Sequence, residues 1–224
     1  MGASTQSDGQ TARESLLVRR LIDQGIRDAR ILAAFARVRR SFFVPEQWQD
    51  DAEADRPLEI GCGQTISQPY VVAAMIEALE LSGSERTLEV GTGSGYVTAI
   101  LAEMMPVSAA IRGIEIIPEL ADRARRVLAE LGYENVEVRV GDGALGWPEA
   151  APFDAMIVSA APLAVPAALL DQLAPGGRLV LPVGPSPEQQ ELQLWRRLPT
   201  GDLEKRGLMK VRFVPLTGSS QRVH

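Results

Sequence analysis

The sequence is almost without the residues that most often carry acid–base and metal chemistry. Its only histidine is His224, the last of 224 residues, and its only cysteine is Cys62. We therefore expect no Ser-His-Asp arrangement, no metal site and no intrachain disulfide. A single cysteine is typical of a reducing compartment. Because Cys62 stands between Gly61 and Gly63, we interpret it as a packed residue and not a reactive one.

Other absences exclude further classes of protein. No apolar run approaches the roughly 18 residues of a membrane span, and the opening MGASTQSDGQ lacks the features of a signal peptide. With 29 acidic and 23 basic residues the net charge is −6, and there is no basic run to bind nucleic acid. The Gly-Lys-Ser/Thr of a P-loop is also missing. The sequence predicts a soluble, cytoplasmic protein that binds neither nucleic acid nor a membrane.

The most informative stretch that is present is a glycine-rich turn between two apolar segments, LEVGTGSGY at 88–96. Gly91, Gly93 and Gly95 permit positive φ and the close approach of a ligand. The helix expected to follow would present its free N–H groups to that ligand. Glu115, which lies 20 residues beyond Gly95 at the end of a second apolar stretch, suits the hydroxyls of a ribose.

The spacing of these glycines distinguishes between ligands. It is G-x-G-x-G, whereas a pyrophosphate binder has G-x-G-x-x-G. Glu89 and Glu115 would repel a pyrophosphate, while Glu89 suits a ligand that carries positive charge. S-adenosylmethionine is such a ligand. A glycine turn with only a structural role remains the alternative when the motif is taken alone.

The alternation of segments from about residue 86 to 184 predicts βαβ units and a mainly parallel, doubly wound sheet in an α/β fold. The carboxyl ends of its strands share one edge, where ligands bind. The glycine turn, Glu115, Asp142 and Ser159 all end or follow predicted strands, so we expect them to converge there. APGG at 174–177 is predicted to be a turn, and two antiparallel strands are predicted at 191–198 and 208–216.

The remainder of the chain is predicted to complete one domain over residues 13–218, with a disordered tail at 1–12 and a C-terminal tail at 219–224. Two helices, from about 14 to 24 and after the capping residue Asp28, are expected to form an N-terminal cover. Residues 47–55 are predicted to be an exposed loop, and 185–190 a polar loop.

Ser67 has two compatible interpretations. It stands where the N-cap of the next helix is expected, with Pro69 in the first turn. A hydroxyl beside a glycine-rich turn can also face a ligand. Without an interior histidine, the chemistry should need little acid–base help. Methyl transfer from a sulfonium to a carboxylate meets that condition, because a carboxyl group with a pKa of about 4 is already an anion at neutral pH.

Five segments resemble the protein-L-isoaspartate O-methyltransferase family: GQTISQPY, LEVGTGSGY, GDGALGWPEAAPFDAMIVSAA, LAPGGRLVLPVG and VRFVPLTG. The resemblance runs in order from about Leu21 to Gly218. The glycine-rich core is shared with most class I methyltransferases, whereas T-I-S-x-P and F-V-P-L are more discriminating. The resemblance implies a Rossmann-like class I methyltransferase fold. It also implies S-adenosylmethionine-dependent methylation of L-isoaspartyl, and often D-aspartyl, residues in damaged proteins, which initiates repair and leaves S-adenosylhomocysteine.

The resemblance also implies the site residues. Ser67 would be the catalytic residue, and Thr65 and Val214 would contact the substrate. Residues 214–217 resemble the segment that closes over cofactor and substrate. The cofactor would be bound by Ile66, Ser67, Glu89, Gly91, Thr92, Gly93, Ser94, Gly95, Glu115, Asp142, Gly143 and Thr217. Within that set, the glycine turn would hold the methionine end, Glu115 the ribose, and Asp142 with Gly143 the adenine edge. The partners implied are isoaspartyl proteins and peptides, and we predict a monomer.

Two departures from the family pattern concern the acceptor. Family members often have Ala-Tyr-x-Asp where this chain has Ala52 followed by Glu53, and the tail after Thr217 is short. A carboxyl methyltransferase with a different peptide or small-molecule acceptor therefore stays open. An NAD-dependent oxidoreductase is disfavoured by the glycine spacing and by the lack of an interior histidine, or of a Tyr-x-x-x-Lys pair, to move protons. An inactive cofactor-binding regulator is disfavoured by the presence of Ser67.

Overall fold

The computed structural model describes residues 16–218, and the predicted tails at 1–12 and 219–224 lie outside them. The described chain begins with a helix at 16–23, α1. The second helix, α2 (Ala29–Arg37), begins at the predicted N-cap Asp28, whose carboxylate accepts a hydrogen bond from the Arg30 backbone N at 2.8 Å. Short 3₁₀ turns follow at Arg40–Phe43 and Glu46–Trp48. These elements form the predicted N-terminal cover.

Within the described part of the chain, nine strands follow or alternate with the helices. The first two, β1 (Leu58–Gly61) and β2 (Gln64–Ile66), form a separate antiparallel hairpin. The others are β3 (Thr87–Val90), β4 (Ile111–Glu115), β5 (Val136–Val140), β6 (Phe153–Val158), β7 (Leu173–Val183), β8 (Glu191–Arg197) and β9 (Leu203–Lys210). The remaining helices are α3 (Pro69–Ala78), α4 (Tyr96–Met104), α5 (Pro118–Glu130) and α6 (Ala167–Asp171).

Strands β3 to β9 form one sheet in the order β5-β4-β3-β6-β7-β8-β9. The strands from β3 to β7 pair in parallel, and β8 and β9 are antiparallel to their neighbours. The order reverses at β3, which lies between β4 and β6, and such a reversal opens a crevice at the carboxyl ends of the strands. The predicted doubly wound α/β architecture with antiparallel C-terminal strands is confirmed.

Two buried clusters form the core of the part of the chain that the structure describes. One contains Leu88 and Val90 of β3 with Trp147 and Leu169, and the other contains α4 and the N-terminal cover. The cover packs on α4 through aromatic rings. The Tyr96 ring lies 6.1 Å from that of Phe35 and 5.5 Å from that of Phe43, centroid to centroid. Apolar burial and aromatic packing of this kind hold the cover on the domain.

Three sequence-based expectations about elements are wrong. The predicted strand at 208–216 is displaced, since β9 ends at Lys210 and the following residues leave the sheet. Its apolar pattern reflects burial of Val211, Phe213 and Leu216, and beyond Lys210 the β-pairing is an isolated parallel bridge between Pro215 and Ala161. The predicted turn at 174–177 is part of β7, which takes up Gly176 at a φ of +80° where the register with β6 shifts. The loop at 47–55 is not simply exposed, because Ala52 is fully buried.

Within residues 16–218, no helix combines the length and the apolar character needed to cross a bilayer.

Candidate active site

The glycine turn after β3 has the predicted conformation. Gly91, Gly93 and Gly95 have φ values of +80°, +56° and +90°. Gly95 is the N-cap of α4 in the left-handed region, and a Cβ there would lie 3.2 Å from Cδ1 of Leu128 in α5. This position therefore needs glycine both for its backbone conformation and for the packing of α5.

Glu115 ties the end of β4 to this turn. Its side chain is 5% exposed; Oε2 accepts a hydrogen bond from Gly93 N at 2.8 Å, and Oε1 accepts one from Ile117 N at 3.0 Å. Because each carboxylate oxygen can accept more than one hydrogen bond, the carboxylate is fixed and still has lone pairs for ligand hydroxyls.

Glu89 lies deeper in the same crevice and is fully buried. Its Oε2 accepts a hydrogen bond from Thr98 Oγ1, and its Oε1 has no hydrogen-bond partner within residues 16–218. Burial, reinforced by the nearby charge of Glu115, raises the pKa of the Glu89 carboxyl to about 8. The Glu89 carboxyl is thus mostly protonated at neutral pH in the free protein. A cationic ligand beside it would stabilise the ionised form and lower this pKa.

These groups line a first pocket at the carboxyl ends of β3, β4 and β6. It brings together twelve of the predicted site residues: Thr65, Ile66, Ser67, Glu89, Gly91, Thr92, Gly93, Ser94, Glu115, Gly143, Val214 and Thr217. Gly95 and Asp142 are not among its lining residues. Gly95 lies behind the turn, and Asp142 caps the 3₁₀ turn Gly143–Leu145 by accepting from Ala144 N at 2.9 Å. An added Cβ at Gly218 would lie 2.6 Å from Oδ1 of Asp142, so this carboxylate faces the C-terminal segment.

A second pocket of about 460 Å³ adjoins the first. Its walls include the apolar side chains of Pro57, Val71 and Phe213, and its charged lining residues are Glu188, Lys210 and Arg212. The two pockets share four lining residues: Thr65, Ser67, Ser159 and Val214. Ser67 is therefore at the junction of the two pockets.

The expectation that Ser67 caps α3 is wrong. The N-cap is Gln68, and Tyr70 N in the first turn donates to Oδ1 of Asp55 at 3.0 Å. The Asp55 carboxylate, a stronger acceptor than a hydroxyl, therefore binds the backbone N–H of the first turn that the sequence analysis expected Ser67 to bind. The Ser67 hydroxyl is not used by the helix.

The segment after β9 closes the site and is held by a residue that the sequence did not single out. Gln190 is 3% exposed; its Oε1 accepts from Phe213 N at 2.6 Å and its Nε2 donates to Phe213 O at 3.1 Å. Beyond it, Ala161 N donates to Val214 O, and Leu216 N donates to Ala161 O, both at 2.8 Å. Residues 213–216 are thereby fixed beside both pockets. A glutamine in a predicted polar loop carries no local signal of this role.

The prediction that Cys62 is a packed residue is also wrong. It is exposed at the turn of the β1–β2 hairpin, with a φ of +52°, and is not packed. The hairpin itself was not predicted, because its strands are only four and three residues long.

A crevice of this kind, at the reversal point of a mostly parallel sheet and with an acidic residue ending the next strand, is typical of Rossmann-like folds that bind a nucleotide or nucleoside cofactor. Residues 12–221 match the model of the Protein-L-isoaspartate(D-aspartate) O-methyltransferase family. The chain belongs to this family.

Named relatives agree with the match. The chain is 56% identical over 196 residues to a protein-L-isoaspartate O-methyltransferase of Myxococcus xanthus, covering 87% of this chain and 91% of that one. It superposes on a solved structure named protein-L-isoaspartate O-methyltransferase with a TM-score of 0.84 and 27% identity, over 92% of this chain and 66% of the other. A Plasmodium falciparum structure described as the same kind of enzyme, in complex with S-adenosyl-L-homocysteine, gives a TM-score of 0.80 and 26% identity. That superposition covers 92% of this chain and 98% of the other.

Proposed function

We propose that the first pocket is the S-adenosylmethionine site, that the second receives the isoaspartyl segment of a damaged protein, and that Ser67 is the catalytic residue between them. The reaction is methylation of the L-isoaspartyl carboxyl group, which initiates repair, and we extend it to D-aspartyl residues. One observation carries the proposal: Thr65, Ser67, Ser159 and Val214 line both pockets, so that donor and acceptor would meet there.

The first pocket suits the cofactor in three respects. The buried, unsatisfied Oε1 of Glu89 suits a cationic group, and the fixed carboxylate of Glu115 suits the ribose hydroxyls. The turn from Gly91 to Gly95 would hold the methionine end; Ile66 and Thr217 would complete the wall, and Asp142 with Gly143 the adenine edge. When bound, S-adenosylmethionine supplies an electrophilic methyl group and is converted to S-adenosylhomocysteine.

The chain's own task in the reaction is orientation. An isoaspartyl carboxylate is already charged at neutral pH, so no base is needed. Thr65 and Val214 would hold the peptide at the junction, and Ser67 Oγ would donate a hydrogen bond to the carboxylate and fix its direction. The neighbouring segment at 213–216 would exclude water from the aligned groups.

The cofactor half of the proposal predicts a proton release. A cationic ligand beside Glu89 lowers a pKa that burial raises to about 8 in the free protein. Binding should therefore release up to about one proton near pH 7, and S-adenosylmethionine affinity should rise with pH toward about 8, because the free form binds the extra proton. Calorimetric titration in two buffers of different ionisation enthalpy measures the release.

Glu89→Gln is the matched control for that titration. It should abolish the part of the proton release that belongs to the enzyme and leave only what the ligand's amino group contributes. Equal proton release from the wild type and Glu89→Gln would remove Glu89 from the site. NAD is the rival ligand, and binding of NAD as tight as that of S-adenosylmethionine would favour the oxidoreductase alternative.

We also propose that the chain acts as a monomer in the cytoplasm, that it binds neither nucleic acid nor membranes, and that residues 13–218 form one domain. The net charge of −6 supports the first exclusion. The exposed free thiol of Cys62 supports a reducing compartment. The packing of both buried clusters on one sheet supports a single domain.

A further inference from the structure

Arg40 is the largest fully buried side chain of the described residues, with 0% exposure. Within residues 16–218, its guanidinium donates hydrogen bonds only to backbone carbonyl oxygens. Nη1 donates to Ala52 (2.7 Å) and Ala54 (3.2 Å), and Nη2 donates to Arg56 (3.0 Å), Ile66 (3.5 Å) and Ser67 (2.9 Å).

Burying a guanidinium only to fill space in a core costs desolvation free energy. Burial lowers the pKa of Arg40, because desolvation disfavours the charged guanidinium, whereas Tyr96 and the carboxylates of Glu53 and Asp55 act in the opposite direction. Apolar side chains of similar volume usually stabilise a core as well or better. Arginine alone has a planar guanidinium whose N–H donors form a rigid fork, and this fork can bind two backbone segments at once.

The two segments joined by this fork flank the β1–β2 hairpin. One is 52–56, and the other is the end of β2 with Ser67. Asp55 of the first segment also accepts from Gln68 Nε2 at 3.0 Å and from Tyr70 N at 3.0 Å. Arg40 thus holds Ser67 at its own carbonyl, and Asp55 holds the chain just after it through the Gln68 side chain and the Tyr70 backbone N. The position of Ser67 at the junction of the pockets depends on both.

We propose that Arg40 is a positioning residue for methyl transfer: by holding the Ser67 carbonyl against the 52–56 segment, it sets where the Ser67 hydroxyl stands between the two pockets. The inference rests on the proposed role of Ser67. None of the hydrogen bonds of Arg40 reaches the glycine turn or Glu115, although Nη2 binds the carbonyls of Ile66 and Ser67 at the edge of the first pocket. The loss of cofactor affinity should therefore be smaller than the loss of kcat.

The test uses Arg40→Met, which keeps the length and removes the fork, and Arg40→Lys, which keeps the charge. Arg39→Met is the matched control, because Arg39 is adjacent but exposed. We expect Arg40→Met to lower kcat on an isoaspartyl peptide at least 10-fold, with the Kd for S-adenosylhomocysteine within about threefold of wild type. Arg40→Lys should be intermediate, and Arg39→Met should match wild type.

A double-mutant cycle separates positioning from general damage. In the Ser67→Ala background, Arg40→Lys should lower kcat by less than threefold more, because the group that it positions is already gone. A full additional loss in that background, a parallel loss of S-adenosylhomocysteine affinity, or a wild-type kcat in the folded Arg40 variants would each overturn the inference. So would failure of both Arg40 variants to fold with S-adenosylhomocysteine present, since Arg40 would then be a folding residue. If Ser67→Ala alone keeps full activity, it is the proposed role of Ser67 that fails.

Discussion

Ser67→Ala is expected to lower kcat for an isoaspartyl peptide by roughly 10- to 1000-fold, with little change in cofactor affinity. The reason is geometric: Ser67 lines both pockets, so its hydroxyl can donate to the acceptor carboxylate. A hydroxyl cannot serve as the base for a group that is already an anion, and its contribution is orientation. Loss of one positioning donor in a site that excludes water costs about that range in other enzymes. Steady-state kinetics with an isoaspartyl peptide checks it.

Stability provides the control for the Ser67 prediction. Because Gln68 is the N-cap of α3 and Asp55 binds its first turn, Ser67→Ala should change the free energy of unfolding by less than about 0.5 kcal/mol. Ser67→Thr keeps a hydroxyl and should retain more activity than Ser67→Asn, which keeps a donor but adds bulk. A folded Ser67→Ala enzyme with wild-type turnover would remove Ser67 from the catalytic role.

Glu115→Ala should weaken S-adenosylmethionine binding by roughly 2–4 kcal/mol, or about 30- to 1000-fold in Kd, through loss of two charge-assisted hydrogen bonds to the ribose. The alanine also releases Gly93 N and Ile117 N, which the Glu115 carboxylate binds at 2.8 and 3.0 Å. The turn would then lose the group that fixes it. Calorimetric titration measures the effect.

Two further variants make the Glu115 experiment specific. Glu115→Gln keeps the shape and one acceptor oxygen, and its affinity should fall between those of the wild type and Glu115→Ala. Glu119→Ala removes an exposed carboxylate from the first turn of α5 and should leave the affinity unchanged. If folded Glu115→Ala bound the cofactor as tightly as the wild type, Glu115 would not be a ribose ligand.

The parts of the fold that could be predicted depend on local signals. The strands from β3 to β7 show as apolar segments divided by helical patterns, and parallel topology brings their carboxyl ends to one edge. Glu115, Ser159 and the glycine turn therefore meet where the sequence predicted. Gly95 and Asp142 do not line the first pocket, because the end of a strand indicates an edge of the sheet and not the direction in which each group points.

The parts that could not be predicted depend on partners distant in sequence. Arg40 finds its carbonyl acceptors 12 to 27 residues away, and Gln190 clamps a backbone 23 residues away. Nothing in the pattern around Arg39 and Arg40 indicates which of the two is buried. The cap on α3 was misassigned for the same reason, since Asp55 lies 15 residues before the amide that it binds. Hydrogen bonds between a side chain and backbone groups distant in sequence produce no periodic pattern in the sequence.

The segment that Arg40 holds includes Glu53, which follows Ala52. It is here that the sequence predicts a departure from the family pattern, and the departure concerns the acceptor. The most direct measurement is therefore transfer of labelled methyl from S-adenosylmethionine to an isoaspartyl peptide, beside the otherwise identical peptide with a normal aspartyl residue. We predict label in a base-labile methyl ester on the isoaspartyl peptide and essentially none on its aspartyl counterpart. Equal labelling of both peptides, or labelling of neither by an enzyme that binds S-adenosylmethionine, would contradict the account and indicate a different acceptor.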